Sequence, residues 1–311
     1  MARELLDEDD VMVAEGNETP VPELSIITPT FNGGAYIERC VECVIDQGVA
    51  DRIEHIVLDG ASADGSAELL DELSRRWPHL RFVSEPDRGQ SHALNKGMRL
   101  ARAPVVGILN VDDTYEPGAL KRVLELFDGV AEPAFIVGNC NMRRADGSIW
   151  FVNRPRWLRP WQLLLGVELV KFPLNPSAYF YHRSLHDLIG PYDENEHYAM
   201  DLDFILRVAQ RIRIRYVDEA WGNFCLGPHC KTVVGGESGL SIPQREAVYA
   251  RHLANLPLVQ RIPVSMIAAA SRSKPCDVLR FVVQRPDLAW RRFVHHLRHA
   301  VERVKRSTLR R

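Results

Sequence analysis

The stretch "PVVGILNVDD", Pro104 to Asp113, joins an apolar run to two adjacent carboxylates. The run Val105–Leu109 predicts a buried strand, because short continuous apolar segments are typical of strands covered on both faces. Asp112 and Asp113 follow close behind its end. Neighbouring carboxylates repel each other and resist desolvation, so a fold that retains both usually provides a cation or hydrogen-bond donors. The stretch therefore predicts a strand that leads into a binding site.

Short β-rich runs alternate with helical patterns through the first half of the chain. The runs are Leu24–Thr28, Ile53–Leu58, Leu80–Ser84, Val105–Leu109 and Phe135–Val137. The helical patterns lie near Gly34–Gln47, Ser66–Arg76, Gln90–Ala101 and Pro117–Phe127. This spacing predicts βαβ units and an α/β fold with a doubly wound, mainly parallel sheet. Ligands of such sheets bind outside the carboxyl ends of the strands.

Four of these strand ends carry unusual residues. Their loops read "TPTFN" (Thr28–Asn32), "DGASADGS" (Asp59–Ser66), "EPDRGQ" (Glu85–Gln90) and "NVDD" (Asn110–Asp113). Each loop alone is explained by turn or helix-capping chemistry. Together they predict one crevice at an edge of the sheet. The first turn lacks G-x-G-x-x-G, which argues against a dinucleotide-dependent dehydrogenase.

The composition is that of a globular protein, with 311 residues of which 46% are hydrophobic and 26% charged. No apolar run approaches the roughly 18 residues needed to span a bilayer. Met1–Pro20 carries seven acids and one Arg, unlike a secretory or transit signal. We therefore expect residues 1–22 to be a disordered acidic segment and the protein to be cytoplasmic.

Six cysteines in a chain of this length do not predict a disulfide framework. Cys40 and Cys43 fall within an apolar helical pattern, which favours reduced, packing thiols. A zinc site that joins this pair to Cys225 and Cys230 is the alternative, although ligand pairs so distant in sequence are an unusual arrangement.

Five motifs occur in an order that resembles a known enzyme family. They read "SIITPTFNGG", "HIVLDGASADGS", "SEPDRGQSHALNKG", "GILNVDD" and "YAMDLDFILR". This succession, from about Leu24 to Thr232, is similar to the inverting family 2 glycosyltransferases, which have the Rossmann-like GT-A fold. The resemblance implies a catalytic domain over residues 23–238, with a nucleotide-sugar half (about 23–140) and an acceptor half (about 141–238). Residues 239–311 form a basic extension that we expect to be helical.

The resemblance implies a nucleotide site in the first half. Asp59 matches the aspartate that accepts a hydrogen bond from the base, commonly uracil, which suits an acceptor-only carboxylate. Arg88 and Lys96 would lie near the phosphates, although Lys96 fits a solvated helix face equally well. The implied nucleotide-binding residues are Thr28, Pro29, Thr30, Asn32, Asp59, Arg88, Lys96 and Asp112.

"LNVDD" matches the family's metal-binding motif. The resemblance implies that Asp113 binds Mn²⁺ or Mg²⁺ directly and that Asp112 lies nearer the ribose; a helix-capping pair is the alternative. Many relatives carry a histidine in a later motif resembling "FRLHPGSKT", but this chain reads "FCLGPHCKT" at Phe224–Thr232. Either His229 reaches the metal from its shifted position, or Lys231 carries more of the phosphate charge.

The second half supplies the acceptor side. Asp201, in "MDLD", matches the family's catalytic base, and Asp203 is expected to support it or cap the helix. Pro160–Phe172 is either an amphipathic segment beside the acceptor cleft or core packing. The resemblance implies metal-assisted, inverting transfer of a sugar from a nucleotide diphosphate, expected to be UDP, to a hydroxyl of a glycan, a lipid-linked or another acceptor, without a nucleic-acid partner.

Two other functions stay open at this point. One is a catalytically idle scaffold that binds a sugar nucleotide, favoured by the altered histidine loop. The other is a nucleotidylyltransferase, which would need a basic Gly-rich loop where the chain has "TPTFNGG". The sugar, the acceptor, the linkage and the oligomeric state are not encoded in these motifs.

The end of the chain is strongly basic. Ser271–Arg311 contains twelve Lys and Arg against three Asp and Glu, although the whole chain carries a net charge of −2. Within it, Asp287–Arg306 has an apolar stripe flanked by arginines, which predicts either an interfacial helix on an anionic membrane or a helix packed on the catalytic domain. The first alternative would make the protein peripheral at the inner face of the membrane.

Overall fold

The computed structural model describes residues 21–166, 169–227, 230–231 and 239–273. Within these residues the strands are β1 (Leu24–Thr30), β2 (Ile53–Asp59), β3 (Leu80–Ser84), β4 (Val105–Ile108), β5 (Thr114–Tyr115), β6 (Phe135–Arg143), β7 (Ile149–Asn153), β8 (Tyr179–His182) and β9 (Arg215–Cys225). The helices are α1 (Gly34–Ile45), α2 (Ser66–Arg76), α3 (Gln90–Leu100), α4 (Ala119–Phe127), α5 (Pro160–Leu163), α6 (Leu185–Ile189), α7 (Met200–Arg211), α8 (Ser241–Ala254) and α9 (Leu258–Ser273), and a 3₁₀ turn spans Pro176–Ala178.

The strands of the described residues form one sheet in the order β3-β2-β1-β4-β8-β6-β9-β5, with β7 paired to β6. The first four strands, β1 to β4, pair in parallel, as the alternating pattern predicts. All residues of β1, β2 and β4 are buried, because helices cover both faces of this part of the sheet. None of the described helices is both long and apolar enough to cross a bilayer.

Gly97 lets α3 approach the sheet closely. A Cβ atom at this position would collide with the side chain of Ile27 on β1. Because glycine has no side chain, the helix can pack directly on the strand. This packing fixes the start of α3, near Gln90, beside the ends of β1 and β4.

The later strands add antiparallel pairings to the sheet. β8 runs antiparallel to both β4 and β6, whereas β9 runs parallel to β6 and antiparallel to the short strand β5. Aromatic residues join this region, since Phe135 on β6 contacts the rings of Tyr179 and Tyr181 on β8 at centroid distances of 5.1 and 5.2 Å. The curled, mixed sheet brings the end of β9 back to the loop that follows β4.

Residues 160–172 pack into the core rather than forming a long amphipathic helix. Only α5 is helical, and Leu163, Leu164 and Leu165 are 1–4% exposed. Residues 167–168 lie outside the described part of the chain. The core-packing alternative is therefore the one that the structure supports, although Phe172 also reaches the cavity described below.

The residues after position 238 begin with α8, which is attached to α7 through Asp203. The carboxylate of Asp203 accepts hydrogen bonds from Arg251 at 2.9 Å and from His252 at 2.8 Å on α8, and from Arg207 at 2.7 Å on α7 itself. The side chain of Asp203 is only 6% exposed. These three cationic or N–H donors hold the pKa of Asp203 well below its usual value despite its burial. The predicted interfacial helix at Asp287–Arg306 lies outside the described residues.

The described cysteines are reduced. Cys40, Cys43, Cys140, Cys225 and Cys230 form no disulfide with one another. Cys43 accepts a hydrogen bond from the backbone N–H of Tyr115 at 3.0 Å, and burial raises its pKa. The expectation of packing thiols holds for these five. The alternative zinc site does not form among the described residues, which contain no group of three or more Cys, His, Asp or Glu side chains able to hold a metal.

Candidate active site

A cavity of about 1190 Å³ opens at the carboxyl ends of β1, β2 and β4. Its walls come from both halves of the sheet and from the first turns of α7 and α8. The basic side chains that line it are Arg39, Arg143, Arg144, Lys231 and Arg245, and the acidic ones are Asp87, Asp112 and Asp201. A cleft of this size with a positive excess suits an anionic ligand the size of a nucleotide.

The loop after β1 forms one wall of the cavity. Pro29, Thr30 and Asn32 line it, as expected from the sequence. Asn32 adopts a left-handed backbone conformation with φ 51°. Its N–H donates to Ser62 Oγ at 2.7 Å and its side-chain oxygen accepts from the N–H of Ala63 at 3.2 Å. These bonds join the first loop to the loop after β2 and hold the wall open.

Asp59 and Thr28 lie behind this wall rather than in it. Asp59 is 1% exposed, and its carboxylate accepts hydrogen bonds from the N–H of Ser62 at 3.1 Å and from Ser84 Oγ at 2.6 Å. Gly60, the next residue, lines the cavity instead. The hydroxyl of Thr28 is buried against His55 Nε2 at 2.9 Å. In this arrangement Asp59 organises the loop that a base would contact.

Arg88 and Lys96 do not line the cavity, contrary to the expectation from their motifs. Arg88 donates to Glu194, with Nη2 2.5 Å from the carboxylate, and its side chain is 70% exposed. Lys96 Nζ lies 2.9 Å from Glu85. The reason is helix geometry: Lys96 projects from the side of α3 that faces the end of β3, so the carboxylate there takes its charge.

The two carboxylates of "NVDD" face different surroundings. Asp113 is fully buried; Asn110 and Asn175 donate to its Oδ2 at 2.9 and 2.7 Å, and the N–H of Cys225 donates to Oδ1 at 3.0 Å. Burial and the neighbouring charge of Asp112 raise the pKa of Asp113 well above its usual value. Asp112 lines the cavity, and burial raises its pKa too. Hydrogen-bond donors therefore stabilise the carboxylate of Asp113, whereas Asp112 lies at the cavity.

The metal contact expected of Asp113 stays a prediction, and the geometry makes Asp112 a second candidate ligand. Asp113 ties β4, β9 and the 3₁₀ turn together through hydrogen bonds to both of its oxygens, whereas Asp112 lines the cavity. One carboxylate is compatible with Mn²⁺ or Mg²⁺, since such ions are usually held by one or two carboxylates together with water and substrate phosphates. His229 lies outside the described residues, and its role as a ligand stays a prediction.

Asp201 lies in the first turn of α7 and lines the cavity. Tyr179 donates its hydroxyl to Oδ1 at 3.0 Å. Burial raises the pKa of Asp201, while this hydrogen bond and the charge of Lys231 act in the opposite direction. A carboxylate whose pKa is raised, placed in a cleft, is the kind of group that accepts a proton from a substrate.

The charge of Lys231 acts on the Asp201 carboxylate and lowers its pKa. Burial lowers the pKa of Lys231 to about 8, partly offset by the charge of Asp201. Its Nζ donates to Gln90 Oε1 at 3.0 Å and lies 5.6 Å from the ring centre of Tyr198. Lys231 thus connects the start of α3 with the side of the cavity that holds Asp201.

Several cavity residues carry little signal in the sequence. Arg39 is three residues after Tyr36 on α1 and donates to the backbone carbonyl of Asp112 at 2.6 Å, so helical spacing could have indicated it. Asn175, which caps the 3₁₀ turn through the N–H of Ser177, could have been found only as a turn residue. Tyr179 looks like any strand aromatic, and Arg245 follows a segment that carries no family motif.

Comparisons with known proteins agree with this fold. The sequence model described as "Glycosyl transferase family 2" matches residues 25–186. A "PGL/p-HBAD biosynthesis glycosyltransferase" of Mycobacterium tuberculosis is 29% identical over 279 residues, which cover 87% of this chain and 98% of that protein. The chondroitin synthase of Escherichia coli is 36% identical over 107 residues, but these are 34% of this chain and only 16% of that protein.

Solved structures show the same fold. The structure of S. aureus TarS residues 1–349 in complex with UDP-GlcNAc has a TM-score of 0.61 at 18% identity and covers 84% of this chain and 72% of that one. A mannosyltransferase from Pyrobaculum calidifontis, in complex with GDP-Man and Mn²⁺, has a TM-score of 0.50 at 19% identity, over 85% of this chain and 83% of that one.

The family match spans more than half of the chain and includes the loops after β1 to β4 that line the cavity. The protein is a glycosyltransferase that belongs to glycosyl transferase family 2.

Proposed function

We propose that the protein transfers a sugar from a nucleoside diphosphate, UDP in the first instance, to an acceptor hydroxyl with inversion at the anomeric carbon. The observation that carries this proposal is the position of Asp201, a half-buried carboxylate with a raised pKa in the same cavity as Asp112 and several cations. The nucleotide sugars bound by TarS and by the mannosyltransferase support a nucleotide-diphosphate donor.

The residues would divide the reaction between them. Asp201 takes the proton of the acceptor hydroxyl while the oxygen of that hydroxyl attacks the anomeric carbon from the face opposite the diphosphate. The bond from that carbon to the phosphate oxygen breaks, and its electron pair stays on the leaving diphosphate. Arg39 and Lys231 stabilise this charge as it develops. One in-line displacement inverts the carbon and needs no enzymic nucleophile.

Asp112 would hold a divalent ion, Mn²⁺ or Mg²⁺, against the diphosphate. When bound, the ion would neutralise negative charge on the phosphates. Its assignment to Asp112 rests on the exposure of that carboxylate to the cavity and on the small number of protein ligands that such ions require.

Thermal stabilisation tests the donor. UDP-GlcNAc, UDP-glucose, UDP-galactose and GDP-mannose would be screened with and without MnCl₂. A ligand at 100 times its Kd adds about 2.7 kcal/mol of stability, which corresponds to a Tm increase of roughly 4 °C for a protein of this size. No stabilisation by any of the four would contradict a sugar-nucleotide site.

Release of the nucleotide then separates an enzyme from an idle scaffold. An enzyme releases UDP or GDP from the stabilising donor, faster when an acceptor hydroxyl is supplied. The scaffold is favoured if a donor stabilises the protein but the wild type releases no more nucleotide than Asp201→Asn does at the same concentration.

The acceptor and its location are proposed from the charge of the sequence and not from the cavity. The basic stretch Ser271–Arg311 supports docking on an anionic membrane, since each basic residue near such a surface is worth about 1 kcal/mol. This would bring the cleft to a lipid-linked acceptor. Flotation with phosphatidylglycerol vesicles tests it: a version that ends at Ser271 should lose binding, and equal binding by both proteins would contradict the membrane role.

A further inference from the structure

We infer that Tyr179 is a positioning residue for the proton transfer: its hydroxyl holds Oδ1 of Asp201 and leaves Oδ2 as the oxygen that meets the acceptor hydroxyl. This inference rests on the proposed role of Asp201 as the base. Nothing in the motifs of the chain indicates it, because Tyr179 reads as a strand aromatic.

The hydrogen bond has a fixed direction. Burial raises the pKa of Tyr179 well above its usual value, so its hydroxyl stays protonated and can only donate to the carboxylate. The distance from Tyr179 Oη to Asp201 Oδ1 is 3.0 Å. The described residues offer no hydrogen bond to Oδ2. Since Asp201 lines the cavity, the second oxygen is the one available to a ligand.

The tyrosine is itself held rigidly. It is 0% exposed on β8, and its ring lies 5.1 Å from that of Phe135 on the neighbouring strand. β8 pairs with both β4 and β6, so the hydroxyl cannot shift without moving the sheet. Tyr179 thereby fixes the position of the Asp201 carboxylate relative to the middle of the sheet. A near-attack geometry requires this kind of precise positioning.

Few other groups act on Asp201. Lys231, after β9, is the cation whose charge lowers its pKa, and Asp201 in turn raises the pKa of Tyr181 and Tyr192. Asp203 on the same helix is turned towards α8 and bonds Arg251 and His252. Loss of the Tyr179 hydroxyl therefore removes the only hydrogen bond to the carboxylate among the described residues while its electrostatic surroundings remain.

Tyr181 provides a matched control. It lies two residues along β8, is also 0% exposed, and its ring contacts the same Phe135 at 5.2 Å. Its hydroxyl bonds Tyr192 Oη at 3.1 Å and His186 Nε2 at 3.2 Å rather than Asp201. Tyr179→Phe and Tyr181→Phe thus make the same chemical change in the same strand, and only the first touches the carboxylate.

The first measurement needs no substrate. Carboxyl ¹³C NMR titration of protein labelled at Asp follows Asp201, whose signal is assigned by its loss in Asp201→Asn. Because the hydrogen bond stabilises the charged form, Tyr179→Phe should move the titration midpoint of Asp201 to higher pH, and Tyr181→Phe should leave it in place. An unchanged midpoint in Tyr179→Phe, or equal shifts in both variants, would overturn the inference.

The second measurement follows UDP release from UDP-GlcNAc, or from whichever donor the thermal screen selects, between pH 5 and 9. Tyr179→Phe should lower kcat about tenfold, the worth of one hydrogen bond to a charged group, and move the acidic limb of the profile upward. The KM for the donor should not change. A uniform loss without movement of the limb would mean that Tyr179 acts only through packing, which contradicts the inference.

The two measurements distinguish this inference from the proposed function. If Asp201→Asn retains full turnover, the base is wrong whatever the titration shows. If Asp201→Asn is inactive but Tyr179→Phe behaves like Tyr181→Phe in both experiments, the base stands and the positioning role of Tyr179 is wrong.

Discussion

The two sides of the cavity are built on different physical terms. On the side formed by the loops after β1 and β2, short hydrogen bonds within and between neighbouring loops define the wall; Asp64, for example, accepts from Ser66 and Gly34, which lowers its pKa. On the side of Asp201 and Lys231, both side chains are half-buried, and desolvation moves the pKa of both towards neutral pH. Under the proposed function, the first side binds the nucleotide and the second holds both the proton acceptor and a cation for the phosphates.

The largest expected effect separates these two roles at Asp201. Asp201→Asn should lower kcat by about 10²- to 10⁴-fold, the usual cost of removing a general base, and leave the affinity for UDP within a few-fold. Transfer assays and calorimetry with UDP and Mn²⁺ measure the two quantities. Asp71→Asn is a control, because Asp71 pairs with Arg75 on α2, away from the cavity.

Full turnover by Asp201→Asn would break the comparison. The N-cap residue of α7 is Ala199 and no side chain caps the helix, so an inert substitution would leave the Asp201 carboxylate without a role in the reaction. Glu196 and Asp203 would then be the acids to test.

The next effect concerns Asp112 and Asp113. Asp112→Asn should weaken Mn²⁺-dependent UDP binding by at least about tenfold, because the carboxylate in the cavity is lost. Asp113→Asn should instead reduce the free energy of unfolding by about 1–3 kcal/mol, since an amide replaces an oxygen that accepts from Asn110 and Asn175. Calorimetry and urea unfolding separate the two outcomes, and the reverse result would restore Asp113 as the direct ligand.

A smaller effect follows from the charge of Lys231. Its pKa of about 8 lies below that of an ordinary lysine, so the ammonium is charged below pH 8 and loses its proton above. UDP affinity should therefore fall by about tenfold as the pH rises from 7 to 9.5, the worth of one charge-assisted hydrogen bond. Lys231→Arg should keep its affinity over this range, and Lys231→Gln should be weak throughout. An equal decline in all three proteins would place the titration elsewhere.

The smallest effect tests two cations that the motifs suggest and the geometry does not. Lys96→Ala and Arg88→Ala should change UDP affinity by no more than about twofold, because neither side chain lines the cavity and each is paired with a carboxylate outside it. Arg39→Ala, at a cavity position, is the matched comparison and should have the larger effect in the same titration. A large loss in Lys96→Ala would contradict the separation between cavity and surface.

Local patterns were sufficient for the first half of the fold. The apolar runs and helical spacing predicted β1 to β4 and α1 to α4 to within a few residues, because those signals depend on neighbours in sequence. The same signals also predicted that the four loops lie at one edge of the sheet. Pro29, Thr30, Asn32, Asp112 and Asp201 line the cavity as their motifs indicate.

What the sequence could not supply depends on distant contacts. Adjacent aspartates look alike in sequence, and only the amides of Asn110 and Asn175 and the N–H of Cys225 make Asp113 the buried one. The antiparallel strands of the second half are likewise fixed by pairings between remote segments, such as β4 with β8. The direction of Lys96 depends on a carboxylate eleven residues away.

The attachment of α8 to α7 has a consequence for how the protein is made. Asp203 and His252 are 49 residues apart in the chain. At the rate of ribosomal synthesis, roughly 2 to 10 seconds pass between the appearance of the first and that of the second. The strands β1 to β4 are all synthesised before this segment, whereas Asp203, two residues after Asp201 on α7, gains two of its three partners only when Arg251 and His252 have been made. In the nascent chain, the contacts that hold the helix of Asp201 are therefore completed later than the strands at whose carboxyl ends the cavity opens.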